Sequence, residues 1–426
     1  MNLSDLNVES ELIPFFDISL NRHSREALSS LFYTLPKTPG EALERQQIID
    51  AFTTNLGSIK NLQSYKGDME EAYEFCRKLE NQLPETIDNL GQLRLTLLVS
   101  RKIYTRLLSR SVQVLLLFDK IYNHYLKSLD VSLFPAAWKE SIRVMTDTVS
   151  VFANERSSLI EKGHNISSKE VAVFVHKLYA VYKSGKLLAC WENLFLFEAY
   201  LSIAITSQKA GFIPAQFIDK GIHLTGLFHP FIKNPVKNFI QIDKNVIVLT
   251  GPNMSGKSTL LRSISLCIYL ARLGLPVPAA ECRVIFAGEI NIFINTRDNL
   301  NSGYSHFMTE ILNLKESIIA AQEEKPVFAV FDELFNGTNI DDALNILTIT
   351  INGLKKLTNS YFLISTHFYR LKELHEKEMV HADFLYLDSR LENGLPKFTY
   401  EVKEGWSDVK FGSILFEREG LIKLLT

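Results

Sequence analysis

Eight consecutive residues, Gly251-Pro-Asn-Met-Ser-Gly-Lys257-Ser258, combine two glycines, a lysine and a hydroxyl in the pattern G-x-x-x-x-G-K-[ST]. Glycines at both ends let the backbone curl so that successive N–H groups point inward at phosphate oxygens. Lys257 then bridges the β- and γ-phosphates of a nucleoside triphosphate, and the Ser258 hydroxyl ligates Mg²⁺. Contacts with the nucleotide are expected from Gly251, Pro252, Asn253, Met254, Ser255, Gly256, Lys257, Ser258 and Thr259. A second group is Asp332-Glu333, at the end of the apolar run Pro326–Phe331. Asp332 would hold the Mg²⁺, and Glu333 would orient and polarise the attacking water as general base. His367 closes a third apolar run, Tyr361–Ser365. Beside a γ-phosphate it would donate a hydrogen bond and distinguish ATP from ADP; residue chemistry alone leaves a surface histidine as the equal alternative. A glycine-rich turn and a carboxylate-capped strand are the bland readings of the first two motifs, and finding both together argues against each.

These groups need a frame. The run Val246–Thr250 precedes the glycine loop and a helical pattern, Ser258–Leu273, follows it, which is the strand–loop–helix setting of a phosphate cradle. The acidic pair is expected on a neighbouring strand. Further short runs, Arg283–Phe286, Ile290–Asn295 and Phe384–Leu387, alternate with helical segments Phe307–Ala321 and Ile340–Leu357. Together they predict an α/β layer with a largely parallel sheet.

The first half reads differently. Residues 1–210 hold 6 of the 20 glycines, as long helices prefer. Trp138, Ile142, Met145, Val149, Phe152 and Leu159 form one stripe, predicting a single long helix packed on others, with turns at Asp130–Pro135 and Glu161–Ser167. The fold class is therefore α followed by α/β, with a helical domain at 1–209 and an α/β domain at 210–426.

Composition bounds the rest. The 426 residues are 46% hydrophobic and 22% charged, with 46 Lys+Arg against 48 Asp+Glu and a net charge of −2. That excludes a polybasic mode of nucleic-acid binding, though not a local positive surface. The acidic start is not a secretory signal, and no apolar run reaches 18 residues, Glu198 and Arg272 breaking the best candidates. Cys76, Cys190, Cys267 and Cys282 are expected as free buried thiols in a cytoplasmic protein, away from membranes.

The stretch Leu249–Thr259 resembles the nucleotide loop of the MutS family of DNA mismatch repair ATPases, in which Gly-Pro-Asn-Met is distinctive. Phe228-His-Pro-Phe-Ile232, Ser302–Met308, Asp332–Thr338, Ser365–Phe368 and Tyr400–Gly412 are similar to further family motifs in order and spacing, and Leu43–Ile48 looks like its core/lever helical domain. The resemblance implies an ABC-class P-loop ATPase working with ATP and Mg²⁺ as a homodimer with composite sites, and DNA as a partner. Ser305 would reach the γ-phosphate in the opposite subunit, and Gly337-Thr338 would line the seam. Phe231 and Ile232 would pack on the adenine, with plain core as the alternative for the phenylalanine. Phe335-Asn336 stand where the family usually has Gly-Arg, and Tyr304 and His306 replace its signature Arg and Thr, so coupling between sites is where this chain is expected to differ.

The lever-like match begins within about fifty residues of Met1, and the sole Phe-x-Glu triplet is Phe331-Asp332-Glu333. Direct mismatch recognition by this chain alone is not expected, because an aromatic wedge needs a domain to press it into the minor groove. Three readings follow: an ATPase that moves helical arms in DNA mismatch repair or related DNA metabolism; the same engine on branched DNA or RNA particles; and a nucleotide-gated scaffold for a protein. Arg94, Arg101, Lys102, Arg106 and Arg110 are a candidate polyanion stripe, with an ordinary solvated helix face as the alternative.

Overall fold

The computed structural model describes residues 1–18, 20–60, 65–82, 85–162, 166–252, 254–294, 306–323, 325–368, 370–376, 382–392, 395–406, 416, 418 and 421–425. Contacts divide the chain into two compact units. A helical unit comprises Ile13–Leu35 and Leu43–Gln208; an α/β unit comprises Met1–Leu12, Pro36–Ala42 and Lys209–Thr426. Two early segments, read from the sequence as part of the helical half, thus pack with the α/β unit.

The α/β unit contains ten strands among the described residues: β1 Gln216–Phe217, β2 Ile222–Leu227, β3 Asn238–Ile242, β4 Val246–Thr250, β5 Glu281–Val284, β6 Glu289–Phe293, β7 Val327–Phe331, β8 Tyr361–Ser365, β9 Asp383–Glu392 and β10 Leu395–Glu404. Six form one sheet in the order β10-β9-β4-β8-β7-β6, parallel except for β10. Every residue of β4, β7 and β8 is buried, as expected of strands covered on both faces. The helices Lys257–Arg272, His306–Gln322 and Ile340–Leu354 fall within three residues of their expected bounds.

Three expectations need correction. The run Arg283–Phe286 does not join the parallel sheet; as β5 it lies in a second, four-stranded sheet of order β1-β5-β2-β3, where β2 is antiparallel to both neighbours. The acidic strand β7 does not adjoin the loop strand β4, because β8 is inserted between them. The sequence cannot show this, since neighbours in a parallel sheet are joined through crossovers rather than turns. Third, the stripe from Trp138 to Leu159 is buried throughout but runs over two helices, Ala136–Ser150 and Ala153–Lys162. The chain turns at Val151 and Phe152, and the Phe152 ring enters the core between Phe118 and Phe174, at 5.5 and 5.4 Å.

The β6 edge of the large sheet is covered by the start of the chain. Asn2 donates its N–H to the Ile290 carbonyl at 3.1 Å and accepts from the Ile292 N–H at 3.0 Å, while the Asp5 carboxylate accepts from the Ile294 N–H at 2.8 Å.

The helical unit is organised around aromatic rings. Phe52 and Tyr125 pack on Phe197 at 4.7 and 4.9 Å, and Trp191, Phe118 and Phe134 are almost fully buried. Glu198 lies among them on the helix Lys186–Ala210. That helix is long and apolar enough to cross a membrane by length and composition, yet most of it is buried inside the protein.

Candidate functional site

The glycine loop leaves the buried end of β4 and turns into the helix Lys257–Arg272. Its corners need left-handed backbone: Gly251 has φ 146°, Met254 φ 70° and Gly256 φ 99°. At Gly251 a Cβ would meet Ser255 Oγ at 2.9 Å, so the glycine is needed for space as well as for conformation. Gly256 is the N-cap and offers no side chain, so the first N–H groups of the helix have no side-chain cap. An uncapped helix start carries partial positive charge and directs donors at whatever lies before it.

Around that start the structure gathers six polar side chains. Lys257 is only 5% exposed; its Nζ donates to the Gly251 and Pro252 carbonyls at 3.0 and 3.3 Å and lies 3.8 Å from Glu333 Oε1. Burial pushes its pKa below the usual lysine value, and the carboxylates of Glu333 and Asp332 pull it back up. Ser258 Oγ donates to one Asp332 carboxylate oxygen and Ser365 Oγ to the other. Burial raises the Asp332 pKa, against the lowering effect of these two hydroxyls. Ser255 is fully buried, and its Oγ has no hydrogen-bond partner among the described residues.

Glu333 sits at φ 54° and Phe335 at φ 68°, a region costly for residues with a Cβ. Three bonds hold this strained turn. The Glu333 N–H donates to Ser365 Oγ at 2.8 Å, the Asn336 amide donates to Glu333 Oε2 at 2.8 Å, and the Phe335 N–H donates to Glu310 Oε2 at 3.1 Å. Glu310 is itself buried, which raises its pKa, and it lies 3.3 Å from His306 Nδ1.

Beside the loop is a cavity of about 400 Å³, lined by Phe228, His229, Ile232, Lys233, Tyr400 and Thr259 among others. That volume falls within the range of small-molecule sites, roughly 300–1,000 Å³. Phe231 and Ile232 are 38% and 44% exposed, which excludes plain core for the phenylalanine. Ile232 lines the cavity, whereas Phe231 sits edge-on to His229 at 5.6 Å. Tyr400 enters from β10, where the pairing with β9 shifts register between Phe398 and Val402 and Tyr400 takes φ 59°. Asn238 holds that bulge, donating to the Tyr400 carbonyl at 3.0 Å and accepting from the Val402 N–H at 2.8 Å. The Tyr400 ring covers Gly256, where a Cβ would stand 3.2 Å from it.

Of the residues expected here, Gly251, Pro252, Ser255, Gly256, Lys257, Ser258, Thr259, Asp332 and Glu333 gather at the ends of β4 and β7, and Met254 is the exposed tip of the loop. His367 follows β8 with its ring against Phe368 at 4.9 Å and takes no part in the hydrogen bonds around Asp332. Asn253, Tyr304 and Ser305 lie outside the described residues. Sequence reasoning missed the roles of Ser365, Glu310, Asn238 and Tyr400. Ser365 and Tyr400 stand inside recognised motifs, the available signal; Glu310 and Asn238 gave none.

A family model described as MutS domain V matches residues 247–421, from β4 through the glycine loop and the acidic pair to the last described helix. Among curated proteins, the chain is similar to "DNA mismatch repair protein MutS" of Listeria welshimeri, at 27% identity over 72% of this chain and 37% of the relative. The protein of that name from Listeria monocytogenes serotype 4a is 30% identical over 59% of this chain and 29% of its own length. That of Shouchella clausii is 26% identical over 72% and 37%. This chain therefore spans between 29% and 37% of the length of these relatives. Over residues 247–421 the chain is similar to MutS domain V.

Proposed function

We propose that the α/β unit is an ABC-class P-loop ATPase that binds ATP with Mg²⁺ and hydrolyses it to ADP and phosphate, and that its nucleotide state moves helical arms. The observation that carries this reading is the convergence of Lys257, Ser258, Asp332 and Glu333 on one uncapped helix start, with the Lys257 amine 3.8 Å from Glu333. Lys257 rests on carbonyls of its own loop and would exchange them for phosphate oxygens. The triphosphate would supply the negative charge that a buried ammonium lacks.

The residues also fit a Mg²⁺ ion. A hydroxyl and a carboxylate already joined to each other, beside a phosphate position, are the sparse oxygen donors this cation takes when phosphates and water complete its shell. Ser258 and Asp332 would hold it, and when bound it neutralises charge on the phosphates. Glu333, fixed by Ser365 and Asn336, would orient the attacking water and accept its proton. The neighbouring cavity would take the base, with Ile232 and Tyr400 against its faces and Phe231 at the rim. His367 would act as the γ-phosphate sensor.

The composite homodimer, with Ser305 reaching across, a DNA partner, a cytoplasmic location and a role in DNA mismatch repair or related DNA metabolism all come to this chain from the family. The four cysteines, free and buried, suit a reducing compartment. The test is hydrolysis and mass together. Wild type should turn over ATP with Mg²⁺; Glu333→Gln should keep ATP bound, and its mass should double on adding ATP. Turnover by Lys257→Ala at the wild-type rate would show the site to be misassigned, and a monomer under all conditions would remove the composite pair. Binding to duplex and mismatched DNA should weaken steeply with salt.

A further inference from the structure

The helix that starts at the phosphate loop ends in a clasp. After Arg272 the chain closes a Schellman-type cap, with the Gly274 N–H on the Ala271 carbonyl and the Leu275 N–H on the Leu270 carbonyl, both at 2.8 Å, and Gly274 at φ 71°. Three contacts inside the α/β unit meet at this cap. The Arg272 guanidinium, 6% exposed, donates to the Pro36 carbonyl and lies 4.1 Å from the centroid of the Phe286 ring. Gly274 presses on Ala42, so that a Cβ there would overlap the Ala42 carbonyl oxygen and stand 3.0 Å from its carbon. Val277 exchanges both backbone hydrogen bonds with Ile213, at 2.8 and 3.1 Å.

The segments so held are special in one respect. The chain passes between the two units after Leu12, Leu35, Ala42 and Gln208, and the last three passages adjoin the clasped residues. Pro36–Ala42 opens the helix Pro39–Asn55, which continues into the helical unit. Ile213 follows the end of the helix Lys186–Ala210, which comes from it.

We propose that Arg272–Val277 is the joint through which the state of the phosphate loop reaches the helical unit, with Arg272 and Gly274 as positioning residues; this rests on the nucleotide reading above. The connecting helix has 16 residues and is about 24 Å long. A hydrogen-bonded rod of that length carries a shift at its first turn to its last. Here the last turn is bonded to Pro36 and packed on Ala42 rather than free in solvent. For coupling, those contacts must differ in strength between the empty and filled loop, because a ligand shifts an equilibrium only by its differential interaction with the two states.

The test is hydrogen–deuterium exchange on the full chain with and without ATP and Mg²⁺, in a Glu333→Gln background so that ATP stays bound. Arg272→Met keeps an apolar stem over Phe286 but loses the donor, and Arg272→Lys restores a donor. ATP affinity should stay within about twofold in both, since neither touches the nucleotide. The ATP-induced change in exchange across 43–55 and 186–208 should fall at least about fivefold in Arg272→Met and recover in part in Arg272→Lys. A full ATP-induced change in Arg272→Met overturns the proposal. So does a parent protein that binds ATP without any change in the helical unit, which leaves the nucleotide site standing. Failure of the parent to bind ATP removes both.

Discussion

Two ionisable side chains are buried to almost the same depth, Lys257 at 5% exposure in the α/β unit and Glu198 at 6% in the helical unit. Their surroundings differ. Glu198 accepts from Ser24 Oγ at 2.6 Å, Asn21 Nδ2 at 2.7 Å and the Tyr125 hydroxyl at 2.8 Å, all fixed on packed helices or at their caps. Lys257 has two carbonyls of its own loop and a carboxylate at 3.8 Å. Burial drives both toward the neutral form. The comparison teaches that burial of a charge does not by itself mark a site. A carboxylate whose donors belong to the fold ties segments together; a cation resting on borrowed carbonyls, in the first turn of an uncapped helix, suits the anionic ligand proposed above.

The largest effect should separate these two roles. Lys257→Ala should lower ATP turnover at least about 100-fold while a thermal melt stays near wild type, since one electrostatic donor to transferring phosphate is typically worth that much. Glu333→Gln should lower turnover by a similar factor of about 100 with ATP still bound, read by filter binding beside phosphate release. Glu198→Leu should do the reverse. It strands three donors and should cost about 2 kcal/mol of unfolding free energy by denaturant titration, with turnover per folded molecule unchanged. Tyr400→Ala should weaken nucleotide binding about tenfold in a fluorescent-nucleotide titration, through loss of ring contact.

The smallest effect is a matter of pH. Because burial raises the native pKa of Glu198, the native chain keeps a proton that the unfolded chain has lost above about pH 4.3. Stability from this group therefore falls as pH rises from there through the native pKa. Glu198→Gln should flatten that slope, gaining on wild type as pH increases; an unchanged slope in melts from pH 4 to 8 would show that Glu198 is charged in the folded state.

What the sequence made legible was local. The strand Val246–Thr250 was bounded as observed, and the helix after it to within one residue, because the glycines, the β-branched run and the helical pattern are contiguous. What stayed hidden was made by distant partners. Nothing near Asp332 indicates that β8 lies between its strand and the loop, or that Ser365 at the end of β8 would bond both Asp332 and the Glu333 amide. Tyr400 reaches Gly256 only because a bulge in a hairpin of ten-residue strands turns it there. The sequence motif for that hairpin was visible as Tyr400–Gly412, but its geometry was not. Phe335 shows a departure turned into structure: at φ 68° a glycine would sit without strain, yet here a phenylalanine, 1% exposed, fills the core beside Phe307 at 6.0 Å.

The N-terminal residues on the β6 edge bear on how this molecule can be dissected. A fragment cut at residue 210 would keep every residue of the proposed phosphate site yet uncover the Ile290 carbonyl and the Ile292 and Ile294 amides. An open strand of that kind recruits the same strand from another molecule. Such a fragment is expected to self-associate by edge pairing whether or not nucleotide is present, and supplying the peptide 1–12 in trans should keep it apart.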